Sequence, residues 1–145
     1  MTATADGEEA EGYSSDLLVP KWFEKDPKKS ARDDFTALLA SIEHASAAFS
    51  YAADDPSTLF DAWRTAYGDC MGAFDPTDSS ALVHGFGVAP VERAMTDAAC
   101  RAADTPFHAA PRTNLFGFPP RALPSSLGRR ALPAPPDPHS APPAT

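Results

Sequence analysis

Apolar residues recur at spacings of three and four along three stretches of this chain, and that period predicts a bundle of about three helices. The first runs from Ser30 to about Phe49, with Phe35, Leu38, Leu39, Ile42, Ala45 and Phe49 as its buried stripe. Ser30 is suited to the N-cap, and Asp33 three residues later completes a capping-box pattern. The second stretch, about 58–74, follows a turn at Asp54 to Ser57. Leu59, Phe60, Trp63, Ala66, Tyr67, Cys70, Met71 and Phe74 share one broad face, the strongest apolar period in the chain. Gly68 and Gly72 weaken its second half, so an early end is expected. The third stretch is 90–103. Pro90 suits a first turn, where its missing N–H would be an orphan donor anyway. Val91, Ala94, Met95, Ala98 and Ala102 form the stripe, and the small Ala94 and Ala98 let another backbone come close. Pro106 turns Thr105 away from helical angles and stops the run.

Ahead of the helices, Thr2 to Tyr13 reads as a hairpin, because Asp6-Gly7 is a favoured type I′ pair. The expected class is therefore α+β, a partial antiparallel hairpin followed by the bundle. Asp16 to Phe23 is extended and rich in large apolar groups. Trp22 and Phe23 are neighbours, so they cannot both face one core from a strand. Glu24 to Lys29 reads as a solvated charge run with a proline turn.

Composition separates the two ends. Residues 1–104 hold 8 basic and 19 acidic side chains, whereas residues 105–145 hold 4 arginines and Asp137 alone. Nine of the 16 prolines follow Phe118. Residues 1–118 are thus expected to be the domain. Residues 119–145 are expected to be disordered or polyproline-like, with too little apolar bulk to offset chain entropy. Pro133 to Pro136 spells PxxP, the form of an SH3 or WW ligand, a match that such composition makes common. The tail also reads as a segment translated out of frame. A net charge of −8 argues against a nucleic-acid partner. No run approaches the ~20 apolar residues of a membrane span. Cys70 and Cys100 read as two buried free thiols, and with no secretory signal the expected location is cytoplasmic.

Candidate chemistry is sparse. Ala81 to Pro90 (ALVHGFGVAP) has strand-like residues and a GxG before a helix start, but a dinucleotide loop needs a third glycine within a βαβ unit. Gly85 and Gly87 are more simply a flexible turn before Pro90. His44, His84, His108 and His139 have no ligating His or Cys at helical spacing, so no metal site is expected. No nucleophile elbow occurs, and no catalytic residue is assigned.

One stretch carries a family likeness. VERAMTDAACRAADTPFHAAPRTN, from Val91 to Asn114, resembles the closing helix of the N-terminal capping domain in the enolase superfamily, mandelate racemase/muconate lactonizing branch. Arg93-Ala94 and Asp97-Ala98-Ala99 fill the helix pattern, and Thr105-Pro106-Phe107 fills the turn that follows it. Asp104 stands where that family has Gly, and Pro111 falls inside the expected short helix His108 to Thr113, a sign of decay. The likeness spans about Gly7 to Phe118. It implies a lid over a (β/α)8 barrel, a domain of about 250 residues that this chain has no room for. It also implies that the first strand and most of the second would lie upstream of Met1. Mg²⁺ and the catalytic carboxylates and bases would belong to that absent barrel. The loop after the hairpin would help choose the substrate, which makes Lys21, Trp22 and Phe23 lid candidates. Their alternative role is packing between the strand and the first helix. The resulting expectation is a truncated capping domain without activity of its own, with no cofactor in this chain. The rival is a small helical interaction module with a Pro-rich partner-binding tail.

Overall fold

Helix starts in this chain are written in hydroxyl side chains, and in the computed structural model each one opens on its cap. The structure describes residues 1–119 except 6, 55–57 and 74–79. Ser30 accepts from the Asp33 N–H at 3.2 Å, and Asp33 accepts from the Ser30 N–H at 2.8 Å. This reciprocal box opens α1, Ala31–Ala52. Thr58 caps α2, Leu59–Gly72, and Ser80 caps α3, Ala81–Ala102. A hairpin of β1 (Thr2–Ala5) and β2 (Glu8–Glu11) precedes them, in antiparallel register from Thr2↔Glu11 to Ala5↔Glu8. Gly7 takes φ +86° in its turn. A short 3-10 turn, Ala110–Arg112, follows α3. The expected hairpin and three helices are present. Residues 120–145, with the expected disorder and the Pro133–Pro136 motif, lie outside the described residues, as do the Asp55–Ser57 part of the expected turn and Phe74 of the expected stripe.

α3 is the central element. It packs most extensively on α1, and also meets α2 and both strands. Ala45, Ala48 and Phe49 of α1, Ala66 and Cys70 of α2, and Val88, Val91 and Met95 of α3 form the main core. Small residues set the spacing. A Cβ on Gly87 would lie 2.0 Å from the Ser41 carbonyl oxygen, and one on Gly12 would lie 2.1 Å from that of Ala94. The close backbone approach expected at Ala94 and Ala98 is thus made by the end of the hairpin. Tyr13 and Ser14 extend the contact, the Tyr13 N–H donating to Asp97 at 3.0 Å and Ser14 Oγ to the Pro90 carbonyl at 2.6 Å.

Three readings need correction. α3 begins at Ala81, not at Pro90, so Gly85 and Gly87 are helical and form no turn. Pro90 costs one intrahelical hydrogen bond. Against that, Val83, Phe86 and Val88 are buried by the extra turns, and Ser80 supplies the cap. The stripe of α1 is narrower than its sequence suggests. Phe35 and Leu39 remain nearly half exposed while Leu38, Ala45 and Phe49 are buried, because one flank of the helix has no described neighbour over it. Pro111 is no defect either. It lies in the first turn of the 3-10 segment, where its absent N–H is not needed.

The exit of α3 explains the Asp104 departure. Asp104 takes φ +44°, its N–H donates to the Arg101 carbonyl, and the Thr105 N–H donates to the Cys100 carbonyl at 2.9 Å. This is the Schellman arrangement, with aspartate in the left-handed position that glycine usually fills.

Candidate functional site

The loop between the hairpin and α1 is held by two buried carboxylates, Asp34 and Glu24. Asp34, in the first turn of α1, is 2% exposed. Its Oδ2 accepts from the Lys21 N–H at 2.9 Å and lies 3.4 Å from the Lys21 ammonium. Its Oδ1 meets no hydrogen-bond donor among the described residues. Lys21 adopts φ +62°, a left-handed conformation that a lysine takes only under constraint. Its ammonium also donates to the carbonyls of Asp26, at 3.0 Å, and Lys29. One lysine therefore closes the loop through its backbone and its side chain together.

Trp22 and Phe23 then part company, as neighbouring side chains must. Phe23 turns inward, its ring 4.8 Å from Phe86 of α3, and its carbonyl accepts from Ser80 Oγ at 2.8 Å. It is a packing residue. Trp22 turns outward, 68% exposed, with the Lys25 ammonium 5.7 Å from its ring centroid. Lys25 in turn donates to the Lys21 carbonyl at 2.6 Å. The three candidates thus divide: Lys21 is a fastener, Phe23 packs half-buried against the core, and Trp22 is presented.

The following segment is not a solvated charge run throughout. Glu24 is buried, accepting from the N–H groups of Lys25 and Asp26 and from the Ser80 N–H, with the Lys29 ammonium at 3.3 Å. These donors, the Asp26 N–H foremost, hold its carboxyl below the usual glutamate value. Asp34 and Glu24 were not legible as anchors. Both stand among charged neighbours, and only the fold brings loop donors over them.

A second surface lies on α2. Trp63 stacks with Tyr67 at 5.1 Å and with Phe60 at 5.6 Å between ring centroids, and Phe118 closes on Phe60 at 4.9 Å. Phe60, Trp63 and Phe118 border an apolar groove of about 330 Å³ that also reaches Met95, Phe107 and Phe116. Among the described residues Glu92 is the one ionisable group lining it, and it accepts from Trp63 Nε1 at 2.9 Å. The aromatic stripe expected to be core is therefore split: Ala66 and Cys70 are buried, and Tyr67 is 41% exposed.

The larger cleft along the polar side of α3 is lined in part by paired ions, Arg101 with Asp97 at 2.8 Å and, at its margin, Arg93 with Asp16 at 2.6 Å. Gly85 and Gly87 cannot cradle a phosphate, because helical N–H groups point along the helix into its own bonds. Among the described residues no three His, Cys, Asp or Glu side chains converge as a metal site, and no helix is long and apolar enough to cross a membrane. Cys70 and Cys100 are buried free thiols, and burial raises the pKa of each.

No protein-family model matches the chain, and searches of the curated proteins and of the solved structures find no match either.

Proposed function

We propose that this chain is a capping module of the mandelate racemase/muconate lactonizing type, a lid that contributes shape and water exclusion while a (β/α)8 barrel outside this chain supplies the chemistry. The observation that carries the reading is the presentation of Trp22. An exposed indole sits beside a left-handed lysine, on a loop fastened to a buried aspartate. Backbone strain of this kind persists only where surrounding contacts over-determine it, and it concentrates at ligand clamps and switch regions. A lid needs such a side chain, because closing over a substrate expels water and strengthens every polar interaction inside. The hairpin-then-helices order agrees with what the sequence likeness implies.

In this reading the chain is inactive alone. Mg²⁺ would be held by barrel carboxylates, where it would stabilise the enediolate formed on removing a proton beside a substrate carboxylate. No residue of this chain is assigned to that step. The buried free thiols support a reducing, cytoplasmic setting. The aromatic groove on α2 favours the rival reading, an interaction module, through its exposed Phe107 and Phe118.

The test is a fusion to the isolated barrel of a mandelate racemase-type enzyme, with α-proton exchange followed by NMR in D₂O with Mg²⁺. The purified chain should exchange no carboxylic acid substrate. The fusion should exchange, and Trp22→Ala should lower its kcat/KM about tenfold with little change in folding. Exchange by the chain alone, or a fusion indifferent to Trp22, would overturn the reading.

A further inference from the structure

We infer that the aromatic groove of α2 is the docking site for the chain's own segment from Arg130 to Pro136, RALPAPP. This goes beyond the lid reading and does not depend on it. The groove has the features that receive proline-rich strands: stacked flat rings, apolar walls and a carboxylate at the margin. Phe60 and Trp63 line the groove, and the ladder continues beyond it to Tyr67, with centroid spacings of 5.6 and 5.1 Å. Prolines pack against the ring edges that such a ladder leaves open with little loss of freedom, because their backbone is already restricted.

After the 3-10 turn the chain returns to the groove itself. The Phe60 N–H donates to the Phe116 carbonyl at 2.9 Å, and Gly117 turns at φ +71°. Asn114 then clasps Phe118 from both sides, accepting from its N–H at 2.8 Å and donating to its carbonyl at 3.1 Å. Phe118 is therefore a fixed wall of the groove as well as the point of departure. Fourteen residues separate it from Pro133. Their full extension is about 50 Å, so the motif reaches back over its own groove with length to spare. A tether this short sets an effective concentration on the order of millimolar, which lets a weak contact form.

Charge favours the same occupant. Residues 120–145 carry Arg121, Arg129 and Arg130 against Asp137 alone, whereas residues 1–119 are strongly acidic. Arg130 stands three residues before Pro133, and Pro136 three after it, so one cation precedes the PxxP. Glu92 beside Trp63 is the carboxylate it would meet. The consequence is a self-covered surface: a partner for the groove must displace the tail, and a partner for the tail must expose the groove.

The test uses the full chain labelled with ¹⁵N, read at the two indole N–H resonances. Pro133→Ala with Pro136→Ala should shift the Trp63 resonance and leave that of Trp22 in place, independent of protein concentration. Arg130→Glu should shift Trp63 in the same direction. A peptide of residues 128–138 should bind the double-proline variant at least tenfold more tightly than the unaltered chain, whose own tail competes. An unmoved Trp63 resonance with equal peptide affinities would overturn the inference. So would a shift that grows with protein concentration, which would place the tail of a second copy in the groove.

Discussion

Lys21 and Asp34 meet twice, once through the lysine's N–H at 2.9 Å and once through its ammonium at 3.4 Å, across thirteen positions of sequence. The carboxylate is buried, so its worth lies in what its loss would strand. Asp34→Ala leaves the Lys21 N–H without its partner and should cost about 1–3 kcal/mol. Asp34→Asn keeps an oxygen for that N–H and should cost less. Urea unfolding followed by circular dichroism measures both, and hydrogen exchange at the Lys21 amide should accelerate in the alanine variant. Unchanged exchange there would mean that the loop is held by something else.

Asp104 offers a gain. It holds the left-handed position of the α3 exit at φ +44°, where a side chain of L configuration is crowded. Asp104→Gly should raise stability by about 1 kcal/mol, less than the strain relieved because glycine also loosens the unfolded chain. A thermal melt would register this as a rise of a few degrees. A fall would mean that the carboxylate does more at the helix exit than occupy a strained position.

Two glycines of one helix should answer oppositely to the same change. Nothing lies within 4 Å of a Cβ built on Gly85, so Gly85→Ala should stabilise by about 0.5–1 kcal/mol through helix propensity. A Cβ on Gly87 would meet the Ser41 carbonyl oxygen at 2.0 Å and its carbon at 2.2 Å. Those are backbone atoms that cannot rotate away, so Gly87→Ala should cost about 3 kcal/mol, the upper part of the usual range for overpacking. Paired urea titrations would settle the contrast. Equal responses would place α1 and α3 farther apart than described.

Acid should loosen the hairpin's attachment. Asp97 is held below the usual aspartate value by the Tyr13 N–H first and by Arg101 second, and Asp16 by Arg93 foremost. A carboxyl with a lowered folded-state value stabilises the fold above its unfolded value, near pH 4, and that contribution disappears as pH falls through the folded one. Stability should therefore be level near neutrality and decline below about pH 4. Asp97→Asn should flatten the decline, measured as urea midpoints between pH 2 and 7. An identical slope in the variant would remove Asp97 from the account.

Much of this architecture was legible without coordinates. Apolar period three-to-four marked every helix, Ser30 and Thr58 stood at or beside helix starts, and Asp6-Gly7 announced the hairpin. These are local properties, set by backbone sterics and by the spacing of side chains a turn apart. The small Ala94 and Ala98 also told in advance that a backbone would come close, though not that it would be Gly12. Pro90 lies inside α3 for a tertiary reason. Locally it favours a helix start, and only burial of Val83, Phe86 and Val88 against α1 makes the longer helix worth one lost hydrogen bond. The division among Lys21, Trp22 and Phe23 belongs to tertiary structure as well. Adjacent residues must diverge, but which of them goes inward depends on Phe86 lying beneath and on Asp34 drawing Lys21 into place. Local order followed from the chain's own pattern, whereas burial and presentation were decided by contacts between residues far apart in sequence, which no local pattern encodes.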